Sequence, residues 1–352
     1  MSPNEFVRRQ GPLLTLNEKP FRFLGNNVYF NQADIAYGLA ANVEETFDHM
    51  AALGLTVARC NAHNDNDPAL DPAAIQTRPG QYDEANLVAL DQSIALAKAR
   101  DLRLILRFTN YWEAYGGVRR YVSWFLGRPA SPREAALFFT EPQIRFWFQD
   151  YVRSLIDRVN TVTGVTYRNE PAILAWELGN EFRNPGDPDA LLRWTAEMAG
   201  FIRQLDANHL IADGGEGFDD APQLYTGLSN RHAVNGADGG SFHRLVQIPE
   251  IDMASYHLYP TNWRMNDSTD AALYIQRHEQ IARDAGKVAY MGEFGKPLPD
   301  PQRARLFAHW LSAARDSAGA LLWQLLPDSK LDAEGYQVYS RDTETCAVLR
   351  AR

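Results

Sequence analysis

Cysteine is scarce in this chain: Cys60 and Cys346 are the only two in 352 residues. A disulfide framework is thereby excluded, and two free thiols are expected rather than one bridge. No apolar run approaches the roughly 20 residues a helix needs to cross a bilayer. The opening stretch, Met-Ser-Pro-Asn-Glu-Phe-Val-Arg-Arg-Gln, lacks the apolar centre of a secretory signal. The chain is therefore expected in the cytoplasm, or outside it if a signal has been removed. No block of Lys and Arg offsets the formal net charge of −9, which argues against nucleic acid and anionic membrane as partners. His63, Asp65, Asp67, His257 and Glu293 could each ligate a metal, but there is no His-Glu-x-x-His and no Cys cluster. The run Asn64-Asp-Asn-Asp67 lacks the Gly and the terminal Glu of a calcium loop. No metal and no cofactor is expected. No linker, repeat or low-complexity break divides the chain, so residues 1–352 read as one domain.

What is present is ample core material, 45% hydrophobic against 22% charged residues, in an alternating pattern. Strands are expected at residues 21–29, 55–62, 102–110, 173–176, 210–218, 251–259, 288–293 and 318–325. Between them, helices are expected at 44–53, with Gly54 as the stop, and at 84–100, 141–160, 189–205, 271–285 and 301–317. Eight strand-like segments separated mostly by helices predict an α/β fold, a (β/α)8 TIM barrel. A doubly wound sheet is the alternative; it would more often carry a Gly-rich phosphate turn, and Gly25-Asn26-Asn27 is not one.

Chemistry in a parallel α/β protein sits at the carboxyl ends of strands. Residues 173–176 run into Asn180 and Glu181, and residues 288–293 end on Glu293. One glutamate at a strand end reads as a surface or ion-paired residue. Two, with Asn180 beside one of them, match the acid/base and the nucleophile or base of a glycoside hydrolase. A barrel would also bring Arg59, Asn110 or Trp112, Glu216, His257, Tyr259 and Trp323 to the same face. Arg59 and the Tyr259 hydroxyl are expected to keep one carboxylate charged while a less polar setting keeps the other neutral. Asn180 suits a sugar 2-hydroxyl. Trp112, Trp263 and Trp323 are candidate stacking platforms, each against the plain reading of core filler.

Four stretches resemble the β-1,4-mannanases of glycoside hydrolase family five, in clan A: Asn110-Tyr-Trp-Glu-Ala-Tyr-Gly-Gly117, Arg158-Val-Asn-Thr-Val-Thr-Gly-Val165 with Trp176-Glu-Leu-Gly-Asn-Glu181, Tyr256-His-Leu-Tyr-Pro260, and Gly292-Glu-Phe-Gly295. The resemblance implies Glu181 as acid/base and Glu293 as nucleophile, with Arg59, His257 and Tyr259 supporting the nucleophile. It further implies Asn180 as a sugar ligand and Trp323 as the floor under the cleaved residue. The family usually continues Asn-Glu with Pro, where this chain has Phe182; a reshaped loop after the acid/base is expected.

The implied activity is retaining endo-cleavage of β-1,4-mannosidic bonds in mannans or manno-oligosaccharides, with carboxyl groups about 5 to 5.5 Å apart. The alternatives are an exo-acting β-mannosidase, a β-glucan hydrolase of the same clan, and a barrel that binds carbohydrate without cutting it. Residues 219–250 and 118–140 are long enough to wall off one end of a cleft. The sequence sets no oligomeric state.

Overall fold

A computed structural model describes residues 5–350, leaving the first four residues of the N-terminal stretch outside the description. Eight parallel strands close into a barrel in sequence order. They are β1 (Phe23–Val28), β2 (Val57–Asn61), β3 (Arg103–Arg107), β4 (Ile173–Glu177), β5 (Leu210–Ala212), β6 (Met253–Leu258), β7 (Val288–Phe294) and β8 (Gly319–Leu322). A short helix, Asn31–Ala36, follows β1, and the helices numbered from there include α1 (Ala40–Leu53), α2 (Glu84–Lys98), α3 (Pro142–Ile156), α4 (Pro188–Leu205), α5 (Phe242–Leu245), α6 (Thr269–Asp284), α7 (Arg303–Ala313) and α8 (Thr343–Arg350). Their starts follow from local chemistry. Asp83 and Asp187 accept from the amides of Asn86 and Ala190, capping α2 and α4, and Pro188 fills the first position of α4. Gly54 ends α1 in the left-handed conformation expected of it.

Six of the eight strands are shorter than the expected runs, while β4 and β7 each extend one residue further, to Glu177 and Phe294. β5 stops at Ala212, well short of the expected residue 218, since the Asp213 carboxylate accepts from Gly215 N and Ser255 N and Gly214 takes φ +80°. Residues 118–140 are not a free loop. They form the helices Val118–Leu126 and Leu137–Thr140 with Tyr121, Phe138 and Phe139 buried. Residues 219–250 carry three short helical turns, α5 among them.

An antiparallel sheet of Arg8–Gln10, Leu13–Leu16 and Lys19–Pro20 precedes the barrel. Its Leu14 and Leu16 join Phe21, Phe23, Val57, Ile105, Met253, Tyr290 and Leu321 in one buried cluster, and Arg9 donates to Asp252 and to Gly286 O. That end of the barrel is thereby closed, leaving the carboxyl ends of the strands as the accessible face. Cys60 and Cys346 are buried free thiols. Among the described residues no helix is long and apolar enough to cross a membrane.

The stretch 158–165 is a brace. Arg158 and Tyr167 converge on Asp91 of α2 at 2.7 and 2.6 Å, and Thr161 adds its amide and hydroxyl. Asp91→Ala leaves the buried Tyr167 phenol without its acceptor and Arg158 held by Glu84 alone, and is expected to cost about 3 kcal/mol. The readout is a lower urea midpoint at unchanged slope.

Candidate active site

Arg59 lies on β2 with no exposed surface, and all five of its N–H groups are used. Nε and Nη2 reach Glu177 at 2.9 and 2.7 Å, Nη1 reaches Glu293 at 2.6 Å and Asn27 at 3.1 Å, and Nη2 reaches Asn180 at 2.7 Å. Burial disfavours the cation, but the charges of Glu177 and Glu293 overrule it and hold the guanidinium ionised. Glu177, at the end of β4, also accepts from Tyr290 at 2.6 Å.

Glu293 is aimed by a bulge. His257 pairs with Glu293 while Tyr256 pairs with Met291, so Gly292 is the extra residue in β7. Only glycine fits there, because a Cβ would lie 2.5 Å from Ser255 Oγ. One oxygen of Glu293 faces Arg59 and the other accepts from Tyr259 at 2.6 Å. Burial and the Glu293 charge raise Tyr259 well above the ordinary phenol value, so it remains a donor.

Glu181 follows β4 and takes φ +55°, left-handed and unusual for this residue. Its Oε1 accepts from His257 Nδ1 at 2.7 Å and its Oε2 from the Trp112 indole at 2.5 Å. Burial works to raise Glu181, but the bonds from His257 and Trp112 and the Arg183 charge win and pull it down to about 2. This corrects the expectation of a less polar setting around the acid/base candidate. His257 is corrected as well: Nδ1 is 2.7 Å from Glu181 but 3.7 Å from Glu293, so it supports Glu181 more closely. An oxygen of Glu181 and one of Glu293 lie within 4.8 Å of each other.

Asn180 presents its carbonyl to Arg59 and spends one amide N–H on Asn110 at 3.1 Å, which leaves a second N–H for a ligand. Asn110 is a brace, accepting from Trp112 N at 3.2 Å and donating to Ala114 O. Trp112 is 42% exposed, the openness a sugar platform needs. Trp323, just past β8, stacks on Tyr29 with centroids 5.2 Å apart. Trp263 is core: it is 6% exposed and packed against Phe218, Tyr259 and Tyr274. Glu216 is taken up by Arg183, bidentate at 2.7 Å, and Arg183 in turn covers Trp112 and Phe218, each at 5.0 Å. Phe182 turns away from the cleft into Phe138, Phe139 and Trp194.

Glu177, Arg107, Asn27 and Tyr290 were missed by the sequence reading. Arg107 closes β3, donates to Asn61 and lies 3.9 Å from Glu293; burial and the neighbouring Arg59 cation lower it to about 10. Its only sequence signal was an arginine inside an apolar strand. Of the metal candidates, Asp67 pairs with Arg120 and His63 stands 3.7 Å from Asp65. Asp219, Asp220 and His243 approach one another, but His243 and Tyr225 already bond Asp219 and Ser241 bonds Asp220.

The sequence pattern of the family described as GH family 5 beta-mannosidase-like matches residues 4–303. A mannan endo-1,4-beta-mannosidase of Oryza sativa subsp. japonica is 35% identical over 95% of this chain and 78% of its own length. The endo-beta-1,4-mannanase of Thermotoga petrophila superposes with a TM-score of 0.86 at 30% identity, over 95% of this chain and 77% of that one. The endo-1,4-beta-mannanase of Rhizomucor miehei gives 0.86 at 28%, over 99% and 98%.

Arg59→Met leaves Glu177 and Glu293 buried without their shared cation. It is expected to lose activity by orders of magnitude and about 3 to 5 kcal/mol of stability, read by turnover and urea melting. Trp323→Ala should instead raise KM several-fold at near wild-type stability. Wild-type stability in Arg59→Met would show that the two carboxylates do not depend on it.

Proposed function

The chain belongs to glycoside hydrolase family 5, among its β-mannosidase-like members, and from that premise we propose that it is a retaining endo-β-1,4-mannanase in which Glu293 is the nucleophile and Glu181 the acid/base. The observation that carries the assignment is the pair of carboxylates within 4.8 Å, held by different partners. So close an approach of the two carboxylates suits the direct attack of a retaining site better than the wider spacing of an inverting one.

Glu293 is fixed by Arg59 and Tyr259, which orients it for attack on the anomeric carbon. As the bond to the leaving sugar breaks, its oxygen takes a proton from Glu181. The 2.7 Å bond between Glu181 and His257 means that a proton on either partner can be delivered at Glu181 Oε1. Once Glu293 is esterified, Glu181 takes a proton from water, and the water displaces Glu293. Asn180, with one N–H uncommitted, supports a contact to the 2-hydroxyl that strengthens as positive charge develops on the ring. Mannan and manno-oligosaccharides are the substrates this reading names, cut internally.

Glu181→Gln and Glu293→Gln are each expected to lower turnover by several orders of magnitude while the protein stays folded. With mannohexaose, the first products should be of mixed size and of retained β-configuration, seen by NMR before mutarotation. Mannose alone in the first minutes, an inverted product, or equal rates on cellulose or xylan would overturn the reading.

A further inference from the structure

The loop that carries Trp112 rests on Asp65, a buried residue that the mechanism leaves unused. Asp65, in the turn after β2, has no exposed surface, and its amide donates to Tyr115 O at 2.8 Å. Gly116 packs so closely on it that a Cβ there would lie 2.6 Å from the Asp65 carbonyl carbon and 2.7 Å from its Cβ. The loop is tied at both ends to Asn110, whose carbonyl accepts from Val118 N at 2.8 Å and whose side chain accepts from Trp112 N at 3.2 Å. Trp112 then reaches Glu181 Oε2 at 2.5 Å. His63, also buried, stands 3.7 Å from the Asp65 carboxyl, and neither its ring nitrogens nor the Asp65 carboxyl oxygens have a hydrogen-bond partner among the described residues.

We propose that Asp65 is a positioning residue for Glu181, acting through residues 111–117 and the indole of Trp112; this rests on the acid/base role given to Glu181 above. Burial raises the Asp65 carboxyl well above the ordinary range, against the pull of Gly117 N, Arg120 and Thr109. Burial and the Arg107 cation bring His63 down to about 3. At neutral pH His63 is therefore the uncharged imidazole, and burial favours the uncharged form of the Asp65 carboxyl beside it. Asp65 touches neither sugar nor reacting atom. Its effect is confined to whether the proton on Glu181 meets the leaving oxygen.

General-acid assistance matters for a sugar leaving group and hardly at all for 2,4-dinitrophenolate, which departs without a proton. The experiment compares kcat/KM on mannopentaose with kcat/KM on 2,4-dinitrophenyl β-mannobioside for the wild type, Trp112→Phe, Asp65→Ala, Gly116→Ala and the double variant Asp65→Ala/Trp112→Phe. In Asp65→Ala and Gly116→Ala a misplaced acid should cost about 10- to 100-fold on mannopentaose and leave the dinitrophenyl substrate within about two-fold. The double variant should lose no more than Trp112→Phe alone, since both act on one contact. Gly116→Ala pushes into Asp65 from the loop side and carries the test if Asp65→Ala does not fold. Equal losses on the two substrates, no loss on either, or additive losses in the double variant would overturn the proposal and leave Asp65 as packing. An active Glu181→Gln would instead remove the premise, a distinguishable result.

Discussion

The guanidinium of Arg59 is the contact on which the rest of the site depends. Two carboxylates, Glu177 and Glu293, are buried within reach of it. Burying either alone would carry a penalty of several kcal/mol, and burying both without a cation would drive one to take up a proton. Arg59 prevents that with its planar fork, which a lysine could not reproduce: five donors meet Glu177, Glu293, Asn27 and Asn180, residues contributed by β1, β4, β7 and the turn after β4. The barrel's closure is therefore read out at one side chain. Tyr290 below and Asn180 above extend the network, so that the sugar-facing amide and the deep carboxylate share one rigid support.

The strained backbone of Glu181 is held from outside the cleft. Its left-handed φ is followed by Phe182, whose ring covers Gly179 so closely that any side chain at 179 would lie 2.3 Å from it. The ring is wedged among Phe138, Phe139 and Trp194, contributed by Leu137–Thr140 and α4. Aromatic packing on the outer layer thus secures the turn that presents the acid/base.

Much of this could be read from the sequence. Apolar runs interrupted by capping residues located all eight strands and most of the helices between them, and Glu181, Glu293, Arg59, Asn180 and Tyr259 converge as the strand-end rule requires. What escaped was direction and partnership. His257 and Tyr259 share one strand face, yet the bulge at Gly292 places His257 beside Glu181 and Tyr259 on Glu293. Glu177 sits at the end of a fully buried strand and could be recognised only through Arg59 and Tyr290, which are remote in sequence. Trp263, a candidate stacking platform weighed against core filler, has its indole folded into the core. Residues 118–140 read as a loop because their apolar residues face neighbouring helices rather than the barrel.

The two glutamates are set apart by how replaceable their partners are. Glu293 is bound by Arg59, which has no exposed surface, and by the half-buried Tyr259 directly after β6, with their relative positions fixed by strands β2, β6 and β7. A nucleophile gains from such fixity, since attack tolerates little error in distance or angle. Glu181 is bound by His257 and by an indole that is 42% exposed and carried on a loop. The indole is one of the contacts that lower Glu181, so the placement and the proton affinity of this carboxyl both depend on a partner carried by a loop rather than by the barrel. Exchanging the roles would ask Arg59 to release a buried carboxylate while its other N–H groups stay bonded to Glu177, Asn27 and Asn180. The asymmetry of the pair therefore lies less in the carboxyl groups than in the mobility of what holds each one.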